Sequence, residues 1–155
     1  KKFIIECKKA GVNGLIVVDL SYPDNKKFAS LCKKNSICFI QLIAPTTNIK
    51  RIKEIIKISH EMIYMISMIS TTGSALKVTT RKIMKNYDII KKINPSKNVA
   101  IGFGITEKTI GSLKKANGLV VGSALCKEIS KSIKNRQNPV TNVISIVNKL
   151  KKKIS

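Results

Sequence analysis

Two short glycine turns near the C-terminal end of the chain have the residue types and placement of an anion site. Gly102-Phe103-Gly104-Ile105 follows the apolar run Val99–Ile101, and Gly122-Ser123-Ala124 follows the run Leu119–Val121. Each turn is predicted to close a buried parallel strand and to open an amphipathic helix. Glycine lets the backbone approach an anion closely, and the first N–H groups of a helix point outward with the positive end of the helix dipole. The pattern therefore predicts a phosphate site.

The repetition of the turn carries more weight than either turn alone. A single glycine often ends a strand for reasons of packing or turn geometry, and ordinary strand-to-helix turns remain the alternative. Here two turns follow one another, separated by one predicted helix from Thr106 to Ala116. In a (β/α)8 barrel, the loops after the last two strands hold a phosphate in this way.

The elements that must position these turns alternate between helix and strand. The predicted strands are uninterrupted apolar runs, which indicates a parallel sheet covered on both faces by crossover helices. The five predicted strands are Gly14–Asp19, Ile37–Ile43, Met62–Ser67, Asn98–Ile101 and Gly118–Val121. Helices are predicted at Lys2–Ala10, Asp24–Asn35, Asn48–Ile58, Thr80–Ile93, Thr106–Ala116, after Gly122, and at Val140–Lys152.

One connection differs from the others. The segment from Met68 to Val78 is long and polar and contains Ser70-Thr71-Thr72-Gly73-Ser74. Long loops at the C-terminal end of a barrel strand are usually functional, so we expect this one to close over a substrate.

The chain length limits how much of a barrel can form. A chain of 155 residues with 43% hydrophobic content can bury one sizeable core, whereas a whole barrel typically takes about 250 residues. The chain begins inside a predicted helix without a methionine or a capping residue, so we expect a fragment. The predicted fold class is α/β, a partial (β/α)8 TIM barrel in which residues 1–155 form a single domain of five parallel strands with flanking helices.

The formal net charge of +22 could indicate a nucleic-acid partner. Three of the 30 basic residues are arginine, which leaves 27 lysines scattered over the predicted helix faces, and aromatic residues make up 5% of the chain. Proteins that recognise bases and phosphates depend on arginine and on stacking aromatic side chains. Because isoleucine and asparagine are also abundant, we interpret the charge as a drift toward A·T-rich codons rather than as a specific nucleic-acid site.

The cysteines and the single histidine argue against a metal site. Cys7, Cys32, Cys38 and Cys126 show no CxxC spacing, and no second histidine joins His60. We expect four reduced, buried or half-buried thiols in a cytoplasmic protein, and His60 in a solvated turn. No apolar run approaches the roughly 18 residues of a membrane span.

Five ordered motifs resemble those of the tryptophan synthase alpha subunit family. They are Gly11-Val-Asn-Gly-Leu-Ile-Val-Val-Asp-Leu20, Ala44-Pro-Thr-Thr47, Tyr64-Met-Ile-Ser67 with Thr72-Gly73, Gly102-Phe-Gly-Ile105, and Gly122-Ser-Ala124. The resemblance covers nearly the whole chain and corresponds to strands four to eight of that family's barrel, its C-terminal three-fifths.

The resemblance implies a lyase of tryptophan biosynthesis, which cleaves indole-3-glycerol phosphate to indole and glyceraldehyde 3-phosphate in a retro-aldol step. It implies that the loop residue Thr72 closes over the site. The implied phosphate site consists of Gly73, Gly104, Gly122 and Ser123. The implied indole pocket consists of Ile16, Val18, Ile43, Tyr64 and Phe103.

The resemblance also bears on catalysis and partners. It places the catalytic Glu and Asp of the family before Lys1, so no catalytic residue is assigned and the isolated chain is expected to be inactive. Asp19 is implied to support the site near the partner interface. No cofactor is implied in this subunit, and the implied partner is a pyridoxal-phosphate beta subunit in an αββα complex.

Three other hypotheses stay open on the sequence. The chain could belong to another phosphate-binding barrel enzyme, such as an indole-glycerol-phosphate synthase or a ribulose-phosphate epimerase, although Ala44-Pro-Thr-Thr47 and Tyr64 with Thr72-Gly73 count against this. It could be a non-catalytic half-barrel that docks to a partner. It could also be a basic nucleic-acid-binding module.

Overall fold

A computed structural model describes residues 1–67, 69–71, 74–76 and 79–155, with the segments 69–71 and 74–76 described by their backbone alone. The strands of this part of the chain are β1 Gly14–Ile16, β2 Cys38–Ile43, β3 Met62–Ile66, β4 Ile69–Thr71, β5 Ser74–Leu76, β6 Asn98–Gly102 and β7 Gly118–Val120. The α-helices are α1 Lys2–Lys9, α2 Asp24–Lys34, α3 Ile49–Ile58, α4 Thr80–Ile93, α5 Ser123–Lys134 and α6 Pro139–Lys152.

Five of the strands form one parallel sheet in the order β1-β2-β3-β6-β7. Each neighbouring pair is joined by a connection that contains helical structure, as parallel pairing requires. This order, with strands adjacent in the sheet as they follow in the chain, is that of part of a (β/α)8 barrel. The predicted fold class is therefore confirmed.

Capping side chains mark the starts of three helices. The side-chain oxygen of Asn48 accepts a hydrogen bond from the Arg51 N–H at the start of α3, and that of Thr79 accepts one from the Lys82 N–H at the start of α4. Asn138 caps α6, whose first position is Pro139. These residues satisfy N–H groups that the first turn of a helix leaves without an intrahelical partner.

The core lies between the sheet and the helices that follow its strands. One cluster joins the sheet residues Ile63 and Ile101 to α3, α4 and Leu150 of α6, and a smaller one joins Phe39 to α1 and α2. Residues that alternate with these along each strand lie on the opposite face, which we call the open face. No helix in the described ranges has the length and apolarity needed to cross a membrane.

The connection between β3 and α4 contains structure that the sequence analysis did not anticipate. Strands β4 and β5 pair antiparallel in a separate two-stranded sheet, with Ile69 opposite Leu76 and Thr71 opposite Ser74. Their residues include the β-branched types that favour strands. Met68, Thr72 and Gly73 lie outside the described residues.

The predicted helix from Thr106 to Ala116 is wrong. This segment forms turns and a short 3-10 helix at Ile110–Leu113. The Thr109 hydroxyl accepts a hydrogen bond from the Thr106 N–H, which offers the backbone an alternative to a regular helix, and Gly111 lowers helix propensity further. The first glycine turn therefore does not open an α-helix, whereas the second one does.

Three smaller expectations also need correction. His60 is not simply a solvated turn residue, because its Nδ1 accepts a hydrogen bond from the Phe39 N–H at 3.0 Å and so ties the N-terminal ends of β2 and β3 together. Cys126 is exposed rather than buried or half-buried, while Cys32 is fully buried. Strand β1 ends at Ile16, and Val18 and Asp19 lie in the turn that follows it.

Candidate functional site

The two glycine turns end neighbouring strands and meet at one cleft. Gly102 of β6 pairs with Val120 of β7, so the turns leave the sheet side by side at the C-terminal ends of these strands. Between them lies a cleft of about 240 Å³, which we call the glycine cleft. Its lining consists of Tyr64, Phe103, Gly104, Ile105, Val120, Gly122 and Ser123.

Two aromatic rings form the apolar wall of the glycine cleft. The rings of Tyr64 and Phe103 meet edge to face with their centroids 6.0 Å apart, a favourable arrangement for an aromatic pair. Phe103 is 60% exposed, so most of its ring surface is available for contact. Burial raises the pKa of the Tyr64 hydroxyl above its ordinary value.

The first turn has an unusual backbone. Phe103 and Gly104 have φ angles of +69° and +66°, so two consecutive residues lie in the left-handed region. That region is open to glycine and costly for phenylalanine. Gly102, just before them, lies directly beneath Tyr64, because a Cβ atom built there would be 1.7 Å from the Tyr64 hydroxyl oxygen.

The second turn provides the helix N-terminus. Gly122 is the N-cap residue of α5, and its carbonyl accepts hydrogen bonds from the Leu125 and Cys126 N–H groups. The N–H groups of Ser123 and Ala124, the first two residues of α5, precede these bonds and lie at the positive end of the helix dipole. Since no charged side chain is among the described residues that line the glycine cleft, an anion bound there would depend on backbone N–H groups.

A second depression lies at the C-terminal ends of β1 and β2. It has a volume of about 280 Å³, and its lining combines apolar side chains with polar and charged ones, among them Val18, Leu42, Asn25, Gln41 and Arg51. Leu42 pairs laterally with Tyr64, so the depression neighbours the aromatic wall but is not itself apolar.

The indole pocket named from the sequence needs one correction. Ile43 is completely buried in the cluster between the sheet and the helices, so it faces away from Tyr64. The preceding residue, Leu42, occupies the open face instead. Ile16 and Val18 are 45% and 71% exposed; Ile16 pairs laterally with Ile40, farther from the glycine cleft.

Asp19, another predicted site residue, does not line the glycine cleft. Asp19 is exposed in the turn after β1. Thr72 and Gly73 fall outside the residues whose placement is described. Within the described ranges, no three side chains of His, Cys, Asp or Glu are grouped so that they could hold a metal ion.

Ser67 is a site-adjacent residue that the sequence analysis did not single out. It follows β3 immediately and is 6% exposed. Its hydroxyl is within donating distance of the Gly102 and Phe103 carbonyl oxygens. The motif Tyr64-Met-Ile-Ser67 contains this residue, but a serine at a strand end has many possible partners and the sequence does not say which one it meets.

Comparisons with known proteins identify the family of this chain. The family model described as tryptophan synthase alpha chain matches residues 1–155. The tryptophan synthase alpha chain of Pelagibacter ubique is 68% identical over 153 residues, which make up 99% of this chain and 58% of that protein. The corresponding protein of Karelsulcia muelleri is 38% identical over 136 residues, 84% of this chain and 51% of that protein.

Solved structures show the same relationship. A tryptophan synthase alpha subunit from Pyrococcus furiosus superimposes with a TM-score of 0.77 at 31% identity, and the match covers 96% of this chain and 59% of that one. A chain of the tryptophan synthase α2β2 complex from the same organism gives a TM-score of 0.74 at 32% identity, with the same coverage. The chain thus spans somewhat more than half the length of these relatives, and it belongs to the tryptophan synthase alpha chain family.

Proposed function

We propose that this chain is the substrate-binding part of a lyase that cleaves indole-3-glycerol phosphate to indole and glyceraldehyde 3-phosphate in tryptophan biosynthesis. The observation that carries the proposal is the glycine cleft, which joins an aromatic wall to the N-terminus of α5. A flat aromatic group needs apolar walls and a phosphate needs N–H donors, and residues of both kinds line this cleft.

The proposed binding roles follow the two kinds of surface. Gly104, Gly122 and Ser123 bind the phosphate through backbone N–H groups, and Gly73 is proposed to join them from the connection after β3. Thr72, in the same connection, is proposed to close over the substrate. The indole ring contacts a set of side chains from the open face, namely Tyr64, Phe103, Leu42, Val18 and Ile16.

The retro-aldol step itself needs proton transfers that these residues do not provide. Cleavage of the carbon–carbon bond requires an acid at the indole carbon and a base at the glycerol hydroxyl. None of the described residues that line the glycine cleft carries a carboxylate, and Asp19 alone cannot serve both faces of the substrate. We therefore assign no catalytic residue, and Asp19 keeps a supporting role near the partner interface.

The proposed partner is a tryptophan synthase beta subunit, which would receive the indole and carry pyridoxal phosphate. A solved relative is a member of an α2β2 complex, which supports this partner. No cofactor is proposed for the present chain. We also propose a cytoplasmic location, which the four free thiols favour.

Calorimetric titration with indolepropanol phosphate tests the proposed site. This compound keeps the indole ring and the phosphate but lacks the hydroxyl groups of the cleaved substrate. We expect it to bind at least tenfold more tightly than either indole or inorganic phosphate, because one cleft holds both ends. Equal affinity for the analogue and inorganic phosphate would contradict the proposal.

Indole release tests the division of labour between binding and proton transfer. The chain is expected to release no indole from indole-3-glycerol phosphate, with or without a beta subunit, because each positioned acid or base typically contributes about 10²–10⁴-fold. A version extended to the full length of its relatives serves as the positive control. Comparable release by both proteins would show that a residue within 1–155 performs the proton transfers.

A further inference from the structure

The turn that carries Phe103 and Gly104 is contacted by a buried side chain, that of Ser67. Ser67 is 6% exposed, and its hydroxyl oxygen lies 2.6 Å from the Gly102 carbonyl oxygen and also contacts the Phe103 carbonyl oxygen. The carbonyl oxygens on both sides of the Phe103 Cα, those of Gly102 and of Phe103 itself, therefore both contact the Ser67 hydroxyl.

The backbone N–H of Ser67 contacts the same turn as its hydroxyl. The Ser67 N–H donates a hydrogen bond to the Gly102 carbonyl at 2.8 Å, which extends the pairing of β3 and β6 by one step. A carbonyl oxygen accepts through two lone pairs, so the Gly102 carbonyl can take the Ser67 hydroxyl as well as the Ser67 N–H. The hydroxyl also contacts the Phe103 carbonyl oxygen, whose peptide unit ends in the Gly104 N–H.

The turn needs such an anchor because it is intrinsically unfavourable. Phe103 has a φ of +69°, and a non-glycine residue in the left-handed region costs about 1–2 kcal/mol. A strained residue persists only where its surroundings hold it in place. The Phe103 ring is 60% exposed and touches Tyr64 at its edge, so side-chain packing alone restrains this residue weakly.

We infer that Ser67 is a positioning residue for the substrate site. Its hydroxyl holds the Phe103–Gly104 turn in the left-handed conformation, which aims the Phe103 ring at one end of the glycine cleft and the Gly104 N–H at the other. The inference rests on the proposed function, in that the turn it positions is the one proposed to hold indole and phosphate. Ser67 itself is not proposed to contact the indole ring or the phosphate.

Substitutions of Ser67, compared with one control substitution, isolate the contribution of the hydroxyl. Ser67→Ala removes the hydrogen bond, and Ser67→Thr keeps a hydroxyl at the same place. Ser59→Ala is the matched control, because the Ser59 hydroxyl also donates to a backbone carbonyl, that of Ile56 at 3.1 Å, but at the opposite end of β3. Ser67→Cys keeps the shape with a much weaker donor and replaces Ser67→Ala if that variant does not fold.

Binding of indolepropanol phosphate and amide NMR spectra are the two readouts. Ser67→Ala is expected to bind about fivefold to tenfold more weakly, the loss of one hydrogen bond, with shifted Phe103 and Gly104 amide signals and weakened Tyr64–Phe103 ring NOEs. Ser67→Thr should recover affinity to within about twofold of the parent protein, and Ser59→Ala should leave both readouts unchanged, because their turn hydroxyl is intact.

The outcomes separate the inference from the function on which it rests. If the unsubstituted protein binds the analogue and Ser67→Ala binds it equally well with unchanged Phe103 and Gly104 signals, the positioning role is overturned. If the unsubstituted protein does not bind the analogue, the proposed function fails, and the NMR signals alone decide whether Ser67 holds the turn. Loss of binding in Ser59→Ala as well would also overturn the inference, because the effect would then be general.

Discussion

The two glycine turns look alike in the sequence and differ in the physical reason for their glycines. In the first turn, Gly102 lies where a Cβ would overlap the Tyr64 hydroxyl, and Gly104 has a φ of +66°. In the second turn, Gly122 has a φ of −117° and a Cβ there would meet no described atom within 4 Å. Packing thus favours glycine at position 102 and backbone conformation favours it at position 104, whereas neither favours it at position 122.

The two turns therefore contribute to the site in different ways: the first shapes its wall, and the second leaves room for a ligand. The glycines of the first turn let the chain bring Tyr64 and Phe103 together, so they shape the aromatic wall. Gly122 leaves empty space beside the start of α5, where a ligand can approach the backbone. Gly122 therefore leaves the room that the proposed phosphate site needs.

The largest effect on stability is expected at Gly102. Gly102→Ala would place its Cβ 1.7 Å from the Tyr64 hydroxyl oxygen, and overpacking of this kind typically costs about 1–3 kcal/mol. In a Tyr64→Ala background the same substitution should cost less than about 1 kcal/mol, because the obstructing ring is gone. Urea unfolding of the four proteins in the cycle measures the coupling.

Gly118→Ala is the matched control for that cycle. Gly118 also lies on the open face, but a Cβ there would be 3.8 Å from the Ala100 Cβ, an ordinary contact. Its cost should not depend on Tyr64. Equal costs of Gly102→Ala with and without the tyrosine ring would show that the first turn does not owe its glycine to Tyr64.

A smaller difference in stability should separate Gly104 from Gly122. Gly104→Ala is expected to cost about 1–2 kcal/mol, because alanine is strained at positive φ. Gly122→Ala is expected to cost less than about 1 kcal/mol, because only N-cap preference changes. Urea unfolding of both variants gives the comparison, and a reversed order would contradict the distinction between the two turns.

The smallest effect concerns the protonation of Tyr64. Its pKa is raised in the folded protein by burial, so the stability linked to its protonated form is present below about pH 10 and is lost as the pH rises through the folded-state pKa. Between pH 9 and pH 11, the free energy of unfolding of the Tyr64→Phe variant should fall less than that of the parent protein. Cys32 and Tyr87, whose pKa values are also raised, are common to both proteins, so identical pH dependences would contradict burial of the Tyr64 hydroxyl.

Much of the fold could be predicted because its signals are local. Uninterrupted apolar runs indicated parallel strands, and Asn48, Thr79 and Asn138 are capping residues at helix starts. The helix predicted over 106–116 failed because Thr106 and Thr109 hydrogen-bond to each other's groups instead of continuing a helix. Apolar residues at helical spacing do not report this competition.

The candidate site was predicted less completely, and the reasons are non-local. Five of its predicted residues, Tyr64, Phe103, Gly104, Gly122 and Ser123, do lie together in the glycine cleft, although their roles remain predictions. Ile43 was misplaced because a strand that is apolar on both faces shows no alternation, and one residue changes the face. Ser67 was missed because its carbonyl partners lie 35 and 36 residues away in the sequence.

The central claim is that the glycine cleft binds a phosphorylated indole compound at the N-terminus of α5. Titration of Gly122→Val with indolepropanol phosphate tests it most directly, with Gly111→Ala as a control whose Cβ would make an ordinary contact of 3.7 Å. Because the valine side chain fills the space beside the N–H groups, we expect Gly122→Val to remain folded and to bind at least tenfold more weakly, and Gly111→Ala to bind normally. Unchanged affinity in a folded Gly122→Val protein would contradict the claim.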